Sequence, residues 1–161
     1  MTNFEDVDSA MLALAAEHGW ALQEVIVREG HPEEGPQFIY TCGISQINNA
    51  AHPELIIFDA GKLGGLVLNS IGEMIQNGRR LRHGDRIAGI LQGTSELLVH
   101  GPIDSRRAEM NAANRLFAKP GLMLPALQIL WPDENEIFPG DYGHSSAQPL
   151  LPIAGRPLPP V

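Results

Sequence analysis

Five features of this 161-residue chain could do chemistry: its histidines, one cysteine, a glycine-rich turn, an arginine cluster and several aromatic–polar pairs. The six histidines are His18, His31, His52, His83, His100 and His144. No two fall at the i, i+4 spacing that sets two ligands on one helix face, and there is no CxxC. Asp141 and His144 stand three apart in a glycine-rich stretch rather than a helical pattern. No metal site is expected, and separate surface or packed histidines are the preferred reading. Cys42 follows an apolar run and precedes Gly43. A reactive thiolate needs a neighbouring base or cation, whereas a cysteine alternating with Phe38 and Tyr40 reads as a small core residue. Gly43-Ile44-Ser45-Gln46-Ile47 starts like a nucleophile elbow but lacks the closing glycine and the helix that should follow.

Asp59-Ala60-Gly61-Lys62-Leu63-Gly64-Gly65 joins an apolar run to a helical pattern, and a helix N-terminus offers free N–H groups to an anion. It matches neither the P-loop nor GxGxxG, so a tight turn and close helix packing are preferred. Arg79, Arg80, Arg82, His83 and Arg86 fall within eight positions, with Arg106 and Arg107 further on. Such a cluster could grip a phosphate or carboxylate through paired hydrogen bonds, or be a solvated loop. Tyr40-Thr41, His52-Pro53-Glu54 and Trp131-Pro132-Asp133 stand where strands should end, and sites are commonly built there. The candidate ligand site is therefore Tyr40, Thr41, His52, Trp131 and Asp133, with Arg79, Arg82 and Arg86 supplying positive charge. His52 or Asp133 could act as acid or base.

These residues need elements to hold them. Asp8 or Ser9 is expected to cap a first helix, with Val7, Met11, Leu14 and His18 at helical spacing and Gly19 as its stop. Trp20–Arg28 reads as a strand and Glu29–Gln37, with two prolines and two glycines, as a loop. Phe38–Cys42 is a strand with Phe38, Tyr40 and Cys42 on one face and Ile39 and Thr41 on the other. Glu54–Asp59 is apolar on both faces, so it should be central. A second helix is expected over Lys62–Asn77, with the stripe Leu63, Val67, Ile71 and Met74, and Gly78 ends it. Arg86–Leu91 and Ser95–His100 form a hairpin around Gln92-Gly93-Thr94. Asp104 or Ser105 caps a third helix reaching Phe117, with Ala108, Ala112 and Leu116 as its stripe. Leu127–Trp131 is the last strand. The order α-β-β-β-α-β-β-α-β predicts one α+β domain over residues 1–154 with a largely antiparallel sheet. Nine of the thirteen prolines lie from Pro120 onward, where they cannot donate hydrogen bonds. An extended tail that wraps the domain is expected, with Gly155–Val161 loose or reaching a second subunit of a homodimer.

Composition narrows the classes. Eleven Lys+Arg against nineteen Asp+Glu give a net charge of −8, so the chain is a poor general binder of nucleic acid. Residues 1–34 hold eight acids and one base, and the rest is nearly neutral. A chain of this length buries roughly two-thirds of its unfolded surface and needs no disulfide to fold. A lone cysteine and an acidic N-terminus without an apolar leader point to the cytoplasm, and no apolar run is long enough for a membrane span. No signature of a flavin or haem is present, so the cofactor is left unassigned.

Several short motifs also occur in order: His18-Gly19-Trp20, Phe38-Ile39-Tyr40-Thr41-Cys42-Gly43-Ile44, His52-Pro53-Glu54-Leu55, Leu127-Gln128-Ile129-Leu130-Trp131-Pro132-Asp133 and Gln148-Pro149-Leu150-Leu151. Together, from about His18 to Leu151, they resemble the bacterial domain-of-unknown-function family 4262. The resemblance implies a small, soluble, single-domain protein and supplies no activity. The matching positions are His18, Trp20, Tyr40, Thr41, Gly43, His52, Glu54, Trp131, Asp133 and Gln148, and no role is carried over to any of them. The family's Tyr-Thr motif commonly continues with Val, and Cys42 in its place counts against a catalytic thiol. The expected function is binding of a small polar or anionic molecule at strand ends. The alternative is a protein-interaction module, inhibitor- or immunity-like, acting through the acidic N-terminal arm.

Overall fold

The computed structural model describes residues 4–26, 30–31, 35–49, 52–91, 96–103, 110–119, 122–146 and 148–154. Helix α1 (Phe4–His18) precedes strands β1 (Ala21–Val25) and β2 (Phe38–Cys42). A 3-10 segment (Ile44–Asn49) leads to β3 (Glu54–Phe58) and helix α2 (Lys62–Gln76). Then come β4 (Arg86–Ile87), β5 (Leu97–Ile103), helix α3 (Asn111–Phe117) and β6 (Ala126–Leu130). The strands form one six-stranded sheet in the order β1-β2-β3-β6-β5-β4. Every pairing is antiparallel except β3 with β6, which is parallel. This is the α+β domain with three helices that the element order predicts. No helix among the described residues is long and apolar enough to cross a membrane.

The sheet is covered on both faces, which is why β3 and β6 are buried along their whole length. On one face Ile39, Leu55, Ile57, Val99, Leu127 and Ile129 pack against Val67, Leu68, Ile71 and Ile75 of α2. On the other, Tyr40, Cys42, Ile56, Phe58 and Ala126 pack against Met11 of α1 and Ala112 and Ala113 of α3. Alternation along β2 and β3 sends successive side chains to opposite cores, as period-two geometry requires.

Several local expectations need correcting. Helix α1 starts at Phe4, so neither Asp8 nor Ser9 is its cap. Asp8 instead holds Arg115 of α3 in a two-pronged ion pair, with Nε 2.8 Å from Oδ2. Met11 is buried, but Val7 and Leu14 of the expected stripe are exposed. In α2 the buried positions are Gly64, Val67, Leu68, Ile71, Gly72 and Ile75, while Leu63 is exposed. The glycines carry the contact: a Cβ at Gly72 would lie 2.6 Å from the Trp20 ring. Counting only large apolar residues therefore rotates the stripe. Strand β1 ends at Val25, β4 has two residues, β5 continues to Ile103, and β6 runs one residue earlier than expected at both ends. Helix α3 starts at Asn111 with Met110 at its N-cap, so neither Asp104 nor Ser105 caps it and Ala108 precedes it. The turn Gln92–Thr94, Asp104, Ser105, Ala108, Arg28, Arg106 and Arg107 lie outside the described residues, as does Gly155–Val161.

Residues 148–154 of the tail lie against β6 and β5. The Gln128 amide donates to Pro149 O (2.7 Å) and accepts from Leu151 N–H (3.0 Å). His100 Nε2 donates to Leu151 O (2.7 Å), and Ile153 bridges to Ile103. In return the Gln148 amide clamps Trp131, accepting from its N–H (3.1 Å) and donating to its C=O (2.8 Å). Each glutamine thus replaces the missing strand partner of the other segment's backbone.

Candidate functional site

The expected site residues other than Tyr40 divide between the two ends of the parallel pair β3–β6. At the N-terminal end lies Glu54, whose carboxylate is wholly buried. Its Oε1 accepts from Thr41 Oγ1 (2.8 Å) and Ile44 N–H (3.0 Å), and its Oε2 from Gly43 and Ser45 N–H (3.1 Å each). Thr41 in turn accepts from Leu55 N–H at 2.9 Å. Glu54 therefore caps the 3-10 segment, whose first N–H groups have no helical partner of their own. Burial pushes its carboxyl up from the ordinary range, against the pull of the donors. All four neighbours are donors, so the arrangement suits a carboxylate. Gly43 makes it possible, with φ of 120° and its N–H aimed at Oε2.

His52 sits beside it, 1 % exposed. Its Nδ1 donates to Pro53 O (2.8 Å), so Nε2 is the acceptor and receives Leu81 N–H (3.0 Å). The ring is held neutral, and burial lowers its pKa below 6.5. Arg79 lies in the same connection that carries Leu81, and the Arg82 N–H is turned onto the Asp85 carboxylate (2.9 Å). Tyr40 lies on the α1–α3 face, its hydroxyl accepting from Ala112 N–H (3.0 Å) and its pKa pushed up to about 12 by burial. Cys42 is free and wholly buried, and burial pushes its thiol up, away from the thiolate. Thr41, His52 and Arg79 thus share one end of the sheet, Tyr40 an inner face, and every polar atom described at Thr41, His52 and Tyr40 has a protein partner.

The C-terminal end is built differently. Asp133 is buried and accepts from the N–H groups of Asn135, Ile137 and Ser145 and from the Ser145 hydroxyl, at 2.8 to 3.1 Å. These donors hold its carboxyl below the usual range, so Asp133 ties the 133–145 loop together. Arg86 lies over the Phe138 ring of that loop, 5.7 Å from its centre. Ser146 Oγ and His144 Nε2 share a 2.7 Å hydrogen bond, but the same oxygen also receives the Gln148 amide (3.1 Å). That pair is a support for the Gln148 clamp. Trp131 is half-buried, and its Nε1–H donates to Phe58 O (2.9 Å).

Here the structure opens. A cleft of about 150 Å³ is lined by Ile57, Asp59, Ala60, Leu63, Val67, Leu91, Leu97 and Trp131. It lies where β3 turns into α2, beside the end of β6. The crevice outside the carboxyl ends of parallel strands is the usual ligand position in such crossovers. Of the expected site residues only Trp131 lines it. Asp59, Ala60 and Leu63 belong to the Asp59–Gly65 stretch, for which a tight turn was the preferred reading, and Leu91 had no chemical motif to mark it. The available signal was positional: a buried strand, a glycine turn and a helix in succession. Asp59 takes φ of 56°, uncommon for a residue other than glycine. A broader groove of about 560 Å³ runs beside β1, between Leu14, Trp20, Asn69 and Glu73, with the Trp20 N–H committed to Asn69. Among the described residues no cluster of three His, Cys, Asp or Glu side chains could hold a metal.

No curated protein and no solved structure matches the chain. A family model described as "Domain of unknown function (DUF4262)" matches residues 14–145. The motif residues Trp20, Tyr40, Thr41, Gly43, His52, Glu54, Trp131, Asp133 and Gln148 each make one of the bonds described above, so the motifs that carry the resemblance are also the polar ties of this fold. The chain belongs to the domain-of-unknown-function family DUF4262.

Proposed function

We propose that the chain binds a small, mostly apolar molecule in the cleft beside Trp131. The observation that carries this is a solvent-accessible space of about 150 Å³ walled by seven apolar side chains and Asp59 at the strand ends. Such a volume suits a body of benzene size, since an engineered apolar cavity of roughly 150 Å³ binds benzene. The reading keeps the strand-end location expected from the sequence and drops the arginines, because Arg79, Arg82 and Arg86 do not line the cleft. Residues Tyr40, Thr41, His52 and Asp133 are assigned to support of the fold. A thermal-shift and ligand-observed NMR screen of fragments with about six to ten heavy atoms tests this. Binding that vanishes in Leu63→Trp, a substitution at an exposed rim position, supports the reading. Hits that bind Leu63→Trp equally well sink it.

A second reading rests on α1, which leaves Val7, Leu12 and Leu14 exposed near the acidic N-terminus. Such a face suits a protein partner reached with the help of charge. Affinity purification at low and high salt checks it. A stoichiometric partner retained by the wild type and lost by Leu14→Glu supports the reading, and no partner under either condition counts against it.

A further inference from the structure

The sheet has two outer strands, and they are protected unequally. Strand β4 is two residues long, which leaves little edge to pair with. Strand β1 runs for five residues in unbroken register with β2. It carries no proline, lysine or bulge, the devices that usually blunt an edge. Among the described residues no backbone segment other than β2 pairs with it. The Glu24 carbonyl accepts from the neighbouring Gln23 side chain at 3.0 Å, an exposed bond that an incoming strand can replace.

Helices α1 and α2 cover opposite faces of the sheet. The groove of about 560 Å³ touches both, with Ala21 and Leu22 of β1 between them, so it passes around the sheet at its outermost strand. Leu14 and His18 wall it from α1, and Glu73 and Gln76 from α2. Both helices end here: His18 is the last residue of α1 and Gln76 the last of α2. A Cβ on Gly19 would stand 2.9 Å from Gln76 Nε2, so the two ends meet. Each helix C-terminus presents about half an elementary negative charge. Exposed Glu17, Glu24 and Glu73 stand on the same three elements. No Lys or Arg lines the groove, and Lys62 is at the opposite end of α2. His18 is the one side chain in the lining that can become positive, and it lies 3.9 Å from Glu17. The field at this edge therefore favours cations. A second copy of the chain would set the same acids against each other, so like charge opposes self-pairing.

We propose that the outer edge of β1 is a docking strand for a basic, extended segment of a partner protein. The segment adds to the sheet through main-chain hydrogen bonds. Its lysine or arginine side chains meet the glutamates and the two helix ends, and its apolar ones meet Leu14 and Leu22. This surface adjoins the α1 face of the second reading above through Leu14 but is separate from it, since Val7 and Leu12 do not line the groove.

The probe is a short capped peptide alternating lysine and valine, titrated into the full chain and followed by amide chemical shifts. Two controls accompany it: the same peptide with glutamate for lysine, and the lysine peptide N-methylated throughout, which keeps its charge and loses its main-chain donors. The lysine peptide should shift the amides of β1. N-methylation should weaken it by at least about tenfold, and the glutamate peptide should bind most weakly. Glu24→Gln combined with Glu73→Gln, both at exposed positions, should weaken the lysine peptide about fivefold. The proposal is overturned if the methylated or the glutamate peptide binds as tightly as the parent, if the shifts miss β1, or if the lysine peptide does not bind. A dimer in sedimentation that pairs through β1 would give the edge to a second copy and overturn it too. These failures leave Val7 and Leu12 untouched, so the α1 reading stands or falls on its own test.

Discussion

The two ends of the β3–β6 pair differ in what their residues have left to give and in the room around them. At the Glu54 end stand a carboxylate, a threonine and a histidine, the inventory of an acid–base site. Each is bonded to backbone or to another side chain, and each is wholly or almost wholly buried. At the Trp131 end the wall is almost wholly apolar, aliphatic side chains and an indole around an open cleft. A reactive-looking cluster whose bonds are all internal holds a turn in place. A plain apolar cleft with room in it can hold a ligand. Room separates the two: one end is filled and the other is open.

The sharpest attempt to break this contrast is Glu54→Ala. It strips the acceptor from three backbone N–H groups and the Thr41 hydroxyl, at about 1–3 kcal/mol for each group left buried and unpaired. The expected loss is on the order of 4 kcal/mol or more, read by chemical denaturation. A loss under about 1 kcal/mol would mean that this end is not held as described. Next in size is Gln148→Ala, which frees the backbone of Trp131 and should cost about 1–3 kcal/mol. It should also alter the tryptophan emission, since the ring borders the cleft.

The third test uses pH. The folded state lowers the His52 pKa below 6.5, so the unfolded chain takes up a proton more readily as the solution is acidified. The stabilisation from neutral His52 is full above pH 6.5 and is lost as pH falls from there toward the folded value. Denaturation curves across that window should show a slope that His52→Gln reduces. An unchanged slope would indicate that the ring is not held neutral. The smallest expected effect is at the other end, where Leu63→Trp should shift stability by no more than about 0.5 kcal/mol while closing the cleft to fragments. A large loss of stability would make the rim part of the core and erase the difference between the ends.

Much of the scaffold was legible because it rests on local pattern. Leu-Ile-Ile-Phe announced a strand buried on both faces, and alternation in Phe38–Cys42 assigned its side chains to the correct cores. The helix stripes were less legible, since Gly64 and Gly72 bury through absence of a side chain, which hydrophobic counting ignores. The roles of the polar residues could not be read at all. His52 meets Leu81 twenty-nine positions away, and Tyr40 meets Ala112 seventy-two away. Sequence shows a residue's capacity to bond but not whether the fold consumes it. The cleft was missed for the converse reason: Leu63, Leu91 and Leu97 gain meaning only from the empty space between them.

The paired glutamines bear on where this domain stops. The family model matches through residue 145, yet the Gln128 amide is spent on Pro149 and Leu151, the His100 ring on Leu151, and the backbone of Trp131 on Gln148. A chain cut at the family boundary would keep three polar groups whose sockets had been emptied, the Gln128 amide and His100 ring buried and the Trp131 backbone half-buried at the cleft. The stretch by which the family is recognised is thus shorter than the stretch tied together by these bonds, which reaches at least Leu151.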